Sequence, residues 1–353
     1  MRLVAAIAVG GLTFAAAACG SKPNTPSGGS TTPAKKYVAC MVTDIGGIDD
    51  RSFNTSAWKG LQNAKAQQPS IEIKNVSSKA ESDYEPNLTG FVQQKCDFIL
   101  AVGGLMFNAT QKVATANPNQ QFAIVDASIP LANVNSMQFN TAQAAFLAGY
   151  LAAGMSKSGK VATYGGIKIP PVTIFMDGFA DGVAHYNTAK GKSVQVLGWN
   201  KGTQNGTFAE SFIDQAKGKQ ISDTFVAQGA DVIMPVAGGT GLGTATAAKA
   251  SGQYSVIWVD VDGCESNAAN CGAFLTTVVK NIPDAVRDAV LKGFSGGDLK
   301  AGFLGTLANN GVSIAPYHDF DSKIPAALKA ELDTLKADII SGKVQVTSPA
   351  QPK

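Results

Sequence analysis

The chain is 353 residues long and carries 29 Lys and Arg against 26 Asp and Glu, a formal charge of +3. That near balance, with no Lys/Arg cluster, gives nucleic acid no electrostatic footprint to bind. Beyond the first residues no apolar run is long and uninterrupted enough to cross a bilayer.

The chain begins with one positive charge, Arg2, then an uncharged Ala/Val/Ile/Leu/Phe stretch that ends Ala16-Ala17-Ala18-Cys19. Residues 1–18 read as an export signal rather than a membrane span. Small residues just ahead of a cysteine resemble the lipobox of bacterial lipoproteins, in which Cys19 becomes the lipidated first residue. Ala16 departs from the more usual Leu, and plain signal-peptidase cleavage is the second reading. Residues 19–36 are rich in Ser, Thr, Pro and Gly, and read as a flexible tether with a reach of roughly 20 to 25 Å. Any membrane attachment is then through the lipid. The roughly 315 residues that follow exceed one ordinary domain and suit two.

Short apolar, β-branched runs then alternate with helical patterns. Strands are expected at 37–42, 71–76, 98–102, 122–125, 161–164, 194–197, 232–236, 256–259 and 274–279. The clearest helices are 141–155, 171–186, 244–250, 283–294 and 325–340, and Phe53 and Asn54 open an earlier one. This alternation predicts an α/β fold of two doubly wound parallel-sheet domains. An internal repeat points the same way: Cys96-Asp97-Phe98-Ile99-Leu100-Ala101-Val102-Gly103-Gly104 is echoed by Ala230-Asp231-Val232-Ile233-Met234-Pro235-Val236-Ala237-Gly238. Each copy runs on through a helix into a strand ending in aspartate, and Asp97 to Asp126 and Asp231 to Asp260 are both 29 residues apart.

Setting Cys19 aside leaves Cys40, Cys96, Cys264 and Cys271, an even number that implies two disulfides in an exported chain. Cys264 and Cys271 bracket a short polar stretch and would staple it, leaving Cys40 to pair with Cys96. Zinc is the competing reading, but no C-x-x-C occurs, and the two histidines, His185 and His318, stand far from these cysteines. Neither a metal nor a cofactor is expected.

In open parallel sheets, ligands bind beyond the carboxyl ends of the strands. Asp44, Gly103, Gly104, Asp126, Gly238, Asp260 and Lys280 each follow or end a predicted strand, and Phe53 and Asn54 open the first helix. Two domains facing each other would bring them to one cleft. The segment from Gly238 to Gly243 mimics a dinucleotide fingerprint, but its third small position falls on Thr244 or Thr246. Hydrolysis finds no G-x-S-x-G elbow and no histidine at a strand end. Asp49 and Asp50, at a helix start, more simply cap amides. Binding without turnover fits better: a carboxylate and an amide read the edge of a heterocycle while aromatic rings cover its faces. Phe53 supplies one ring and Phe175 the other, with Phe179, one turn deeper, as core. Asp126, Asp260 and Lys280 are left for hydroxyls such as a ribose diol.

At these residues the chain resembles the basic membrane protein (Bmp) family of lipoproteins, the purine-nucleoside-binding components of ABC importers. The match comprises Asp44-Ile45-Gly46-Gly47 leading into Asp49-Asp50-Arg51-Ser52-Phe53-Asn54, Phe175 with Gly178-Phe179, Ala237-Gly238-Gly239-Thr240-Gly241, and Val259-Asp260-Val261-Asp262. Where the family often has Gln after the second Asp of V-D-x-D, this chain has Gly263-Cys264.

The resemblance implies a periplasmic-binding-protein fold of type I, with three interdomain crossings near 138–141, 261–263 and 300–302. An N-terminal lobe would then comprise 37–139 and 262–300, and a C-terminal lobe 140–261 and 301–345. It also implies that Asp44 and Asn54 read the base, that Phe53 and Phe175 stack on it, and that Asp126, Asp260 and Lys280 hold the ribose with backbone near Gly238. The implied partners are a purine nucleoside (guanosine, inosine or adenosine), an ABC permease and its ATPase, and the extracytoplasmic face of the cell membrane through the lipid on Cys19. Alternatives are a sugar or other small-metabolite receptor of the same fold, a cell-surface interaction lipoprotein, and a nucleoside-cleaving enzyme, for which no dedicated general base is visible.

Overall fold

The computed structural model describes residues 36–352. The expected signal segment, Cys19 and the tether up to residue 35 lie outside the described residues. From Tyr37 the chain alternates β1 (Tyr37–Ile45), α1 (Phe53–Gln67), β2 (Ile71–Ser78), α2 (Tyr84–Gln93), β3 (Phe98–Val102), α3 (Phe107–Ala116), β4 (Gln121–Val125) and β5 (Val134–Phe139). A second series follows: α4 (Thr141–Met155), β6 (Lys160–Gly165), α5 (Pro170–Lys190), β7 (Gln195–Leu197), a small hairpin of β8 (Trp199–Asn200) and β9 (Asn205–Gly206), α6 (Gln215–Ala227), β10 (Val232–Val236), α7 (Gly241–Ser251), β11 (Ser255–Asp260), α8 (Gly263–Ser266) and β12 (Phe274–Lys280). The remaining elements are α9 (Ile282–Phe294), β13 (Phe303–Gly305), β14 (Val312–Ile314) and α10 (Ala326–Ile340).

The strands build two six-stranded sheets, ordered β13-β5-β4-β3-β1-β2 and β14-β12-β11-β10-β6-β7. All neighbours are parallel except β14, which runs antiparallel to β12. In both central strands of the repeat, β3 and β10, every residue is buried, as expected of parallel sheets covered on both faces, and this is why these strands read as continuous apolar runs. The two sheets repeat one winding order, reversing between β1 and β3 in the first and between β6 and β10 in the second. Such reversals open a crevice at the carboxyl ends of the strands. The repeated aspartates also match in role. Asp97 accepts the Val38 amide at 2.8 Å, and Asp231 accepts those of Lys157 and Ser158 at 2.6 and 2.8 Å.

Expectation and structure part over the lobe boundaries. The stretch 262–300 was expected in the first lobe, yet β12 lies in the second sheet, pairing with β11 from Phe274 to Val279. The chain leaves that sheet only at Asn281, and α9 then packs on the first, with Phe294 edge-on to Tyr37 at 5.5 Å. Likewise β13, expected in the second lobe, pairs with β5 in the first sheet before β14 returns to the second. Three connections therefore join the sheets, at Asn140, at Asn281 and between β13 and β14. An apolar strand announces two-sided burial but not which sheet buries it, because pairing is a contact between distant residues.

Helix α4 is apolar around its whole circumference and almost wholly buried, so it needs neighbours on every side. Its closest is α5: a Cβ on Gly149 would lie 2.1 Å from the Phe179 carbonyl oxygen, and one on Gly178 would lie 2.3 Å from that of Ala142. Glycine at these two points lets the backbones touch, and the contact fixes the amino end of α5, which carries Phe175. Disulfides join Cys40 to Cys96, tying β1 to the start of β3, and Cys264 to Cys271.

Candidate functional site

The strand ends of both sheets open into one cleft enclosing about 550 Å³ of atom-free space, its mouth included. Asp44, Phe53, Asn54, Asp126, Phe175, Gly238, Asp260 and Lys280 all line it. Phe179 is fully buried in the core behind it, and neither histidine lines the cleft.

The loop from β1 to α1 is held by Asp50. Its carboxylate accepts the amides of Ser52 (3.0 Å), Asn54 (2.7 Å) and Thr55 (3.0 Å), and the Thr55 hydroxyl at 2.9 Å. These bonds satisfy donors that a helix start leaves unpaired. With the loop so fixed, Asn54 Nδ2 donates to Asp44 Oδ1 at 3.0 Å. Asn54 Oδ1 is buried with no partner, an acceptor whose desolvation is uncompensated within the protein. Burial pushes the Asp44 carboxyl up to about 8; the Asn54 hydrogen bond lowers it, and the charges of Asp50, Asp126 and Asp260 raise it. Gly103 makes room for this carboxylate. Its φ is +119°, and a Cβ there would sit 2.2 Å from Asp44 Oδ2.

Asp126 follows β4 in the first sheet, and Asp260 ends β11 in the second. Both take left-handed backbone conformations, with φ of 66° and 72°, which non-glycine residues rarely adopt and which concentrate at functional sites. The repeat thus preserves a backbone peculiarity as well as a residue. Lys280, ending β12, is ion-paired with Asp126 Oδ2 and lies 3.6 Å from Asp260 Oδ1. The three side chains are 3 to 8% exposed, so the charges face one another rather than water. Burial raises the Asp126 carboxyl, with the Lys280 charge and hydrogen bond opposing. The Lys280 ammonium also stands 4.8 Å from the centre of the Phe53 ring and 5.2 Å from that of Phe175, within cation–π range of both. Lys280 is the one cation lining the cleft among the described residues, against four aspartates.

Two lining or neighbouring residues escaped the sequence reading. Ser52 donates to Asp260 Oδ2 at 2.7 Å, from the loop of one sheet to the strand end of the other. Phe212, in the loop before α6, lines the cleft, and its carbonyl accepts the Thr240 amide at 3.0 Å. Strand ends and helix starts mark the other expected residues; a ring in a loop away from both carries no comparable signal.

The separation expected between histidine and cysteine also fails in space. His318 Nε2 lies 2.7 Å from Asp262 Oδ2, and donor atoms of Asp262, Cys264 and His318 lie within 4.8 Å of one another. Because the Cys264 sulfur is bonded to Cys271, the group offers one imidazole and one carboxylate, short of the three or four protein ligands usual for zinc.

A family model, Bmp, described as ABC transporter substrate-binding protein PnrA-like, matches residues 37–312. The CD4+ T-cell-stimulating antigen of Listeria innocua is 32% identical over 95% of this chain and 94% of its own length. The ABC transporter nucleoside-binding protein BmpA of Lactococcus lactis is 31% identical over 97% and 98%. Among solved structures, an ABC transporter solute-binding protein from Aeropyrum pernix superposes with a TM-score of 0.79 at 23% identity, covering 89% of this chain and 94% of that one. A periplasmic solute-binding protein from Actinobacillus succinogenes with bound D-allose gives 0.61 at 13% identity, covering 81% and 100%. At such identities these structures speak to the fold, which is that of periplasmic binding proteins.

Proposed function

This chain belongs to the Bmp family of ABC transporter substrate-binding proteins, and from that premise we propose that it captures purine nucleosides in the cleft and delivers them unmodified to a membrane permease and its ATPase. It is a binding protein, not an enzyme. The observation that carries the nucleoside reading is the pairing of Asp44 with Asn54, whose Oδ1 is buried and unpaired. Together they offer a short row of acceptors, with Asn54 Nδ2 as the donor, along one edge of a flat ligand. Ionised Asp44 accepts the N1–H and amino group of guanosine, or the N1–H of inosine. Adenosine gives its amino N–H to Asp44 and its N1 to Asn54. Phe53 and Phe175 cover the base, and Asp126, Asp260 and Lys280 hold the ribose. The excess of carboxylates speaks against nucleotides, whose phosphates would enter a negative site. The protein works outside the cytoplasmic membrane, anchored through lipid on Cys19.

A thermal-shift screen tests this. Guanosine, inosine and adenosine should each raise the melting temperature, since a ligand at a thousand times its Kd adds about 4 kcal/mol. Guanosine monophosphate, ribose and pentoses should do little. Stabilisation by pentoses and not by nucleosides would select a sugar receptor of the same fold instead.

A further inference from the structure

Ser52 stands at the N-cap of α1, yet its side chain makes no capping bond; Asp50 holds the first amides instead. The Ser52 hydroxyl is fully buried and points across the cleft, 2.7 Å from Asp260 Oδ2 and 3.1 Å from the Val259 carbonyl oxygen. Its single proton goes to the carboxylate, the stronger acceptor. We propose that Ser52 is a positioning residue that couples the two halves of ligand recognition, by orienting Asp260 for the ribose only when the base-reading loop has closed onto it. This deepens the nucleoside reading and rests on it.

Three observations converge. Asp260 sits in a left-handed backbone conformation, so its side chain leaves the strand end at an unusual angle, and its own bonds must set where the carboxylate points. Those bonds are few: Oδ1 faces Lys280 at 3.6 Å, and Oδ2 takes the Ser52 proton. Ser52 also directly precedes Phe53 and Asn54 in a loop rigidly capped by Asp50, so its hydroxyl travels with the groups that meet the base. Seating the base brings Ser52 to Asp260; opening the cleft withdraws it and leaves the carboxylate oriented by Lys280 alone. Base and sugar are then read cooperatively, and either fragment binds more weakly than its own contacts would suggest.

The test is calorimetric titration of guanosine and of 2′,3′-dideoxyguanosine into the purified protein and its Ser52→Ala, Asp260→Asn and doubly substituted variants, each checked for a cooperative melt. Losing a hydrogen bond to a charged group should weaken guanosine binding about tenfold or more. Ser52→Ala should cost dideoxyguanosine, which has no diol for an oriented Asp260 to hold, clearly less than guanosine, and should add nothing in the Asp260→Asn background. Ser52→Cys, with a weaker donor, should fall between, and it carries the test if the alanine variant does not fold. Equal losses for both ligands, or losses that multiply with Asp260→Asn, would mean that Ser52 merely supports the fold, and would overturn the inference alone. Silence of the unsubstituted protein toward every purine nucleoside would instead remove the reading beneath it.

Discussion

Replacing Lys280 with Met keeps an unbranched side chain one atom shorter and removes the one cation lining the cleft among the described residues. Two carboxylates are then stranded: Asp126, ion-paired to Lys280, and Asp260 at 3.6 Å. At 3.6 Å and an effective dielectric of about 20, one pair alone amounts to about 4 to 5 kcal/mol of gross attraction. Desolvation offsets much of that in the intact site, but removing one partner of a buried pair costs about 3 to 5 kcal/mol, because the other charge remains buried. The loss should depend on pH with a definite sign. Without Lys280 the burial that raises the Asp126 carboxyl acts unopposed, so its folded-state value lies above its unfolded one, and its stability contribution is full at low pH and is lost as pH rises. Urea unfolding at pH 5 and pH 8 is the assay. Lys280→Met should lie close to the wild type at pH 5 and fall several kcal/mol below it at pH 8, with nucleoside binding abolished at both. Equal stability of the two proteins at pH 8 would refute the assignment of Lys280 as the counter-charge of this cluster.

Asp44→Ala should weaken guanosine more than adenosine, because guanosine gives it two donors and adenosine one; titration showing equal losses would sink the edge-reading role. With the Asp44 carboxyl pushed up to about 8, guanosine must bind the deprotonated minority at neutral pH. Its affinity should therefore rise as pH climbs from 6 toward 8, by up to about tenfold per unit, and Asp44→Asn should flatten that profile. Gly103→Ala would place a methyl 2.2 Å from Asp44 Oδ2 at a φ of +119°. About 1 to 3 kcal/mol of backbone strain should appear as a lower melting temperature, together with a loss of guanosine affinity from the displaced carboxylate. Affinity unchanged in that variant would show that Asp44 is free to move.

Much of the fold was legible because parallel strands buried on both faces leave continuous apolar runs, as in β3 and β10. β5 was not, since its burial alternates and its polar residues are satisfied by distant groups: Asn135 donates to the Leu299 carbonyl at 2.8 Å, and Ser136 accepts the Ile129 amide at 3.0 Å. β13 and β14, three residues each, are too short to show a period. The lobe boundaries depended on which sheet β12 and β13 would join, a matter of pairing that no local pattern encodes. At the site, the strand-end rule reached Asp44, Asp126, Gly238, Asp260 and Lys280, and the helix starts gave Phe53, Asn54 and Phe175; all eight line one cleft. The rule missed Ser52 because, with Asp50 already legible as a cap, nothing local shows that the Ser52 hydroxyl turns to a strand end of the other sheet. Phe212 was hidden because its place is set by a loop folded back onto Thr240.

The central claim is that the cleft requires base and sugar together. Isothermal titration of the protein, refolded to strip carried-over ligand, against guanosine, inosine, adenosine, guanine and ribose tests it directly. Binding of purine nucleosides near micromolar or tighter, worth about 8 kcal/mol or more, with guanine and ribose each far weaker, is the predicted result. No heat from any nucleoside in demonstrably folded protein, or guanine binding as tightly as guanosine, would contradict it.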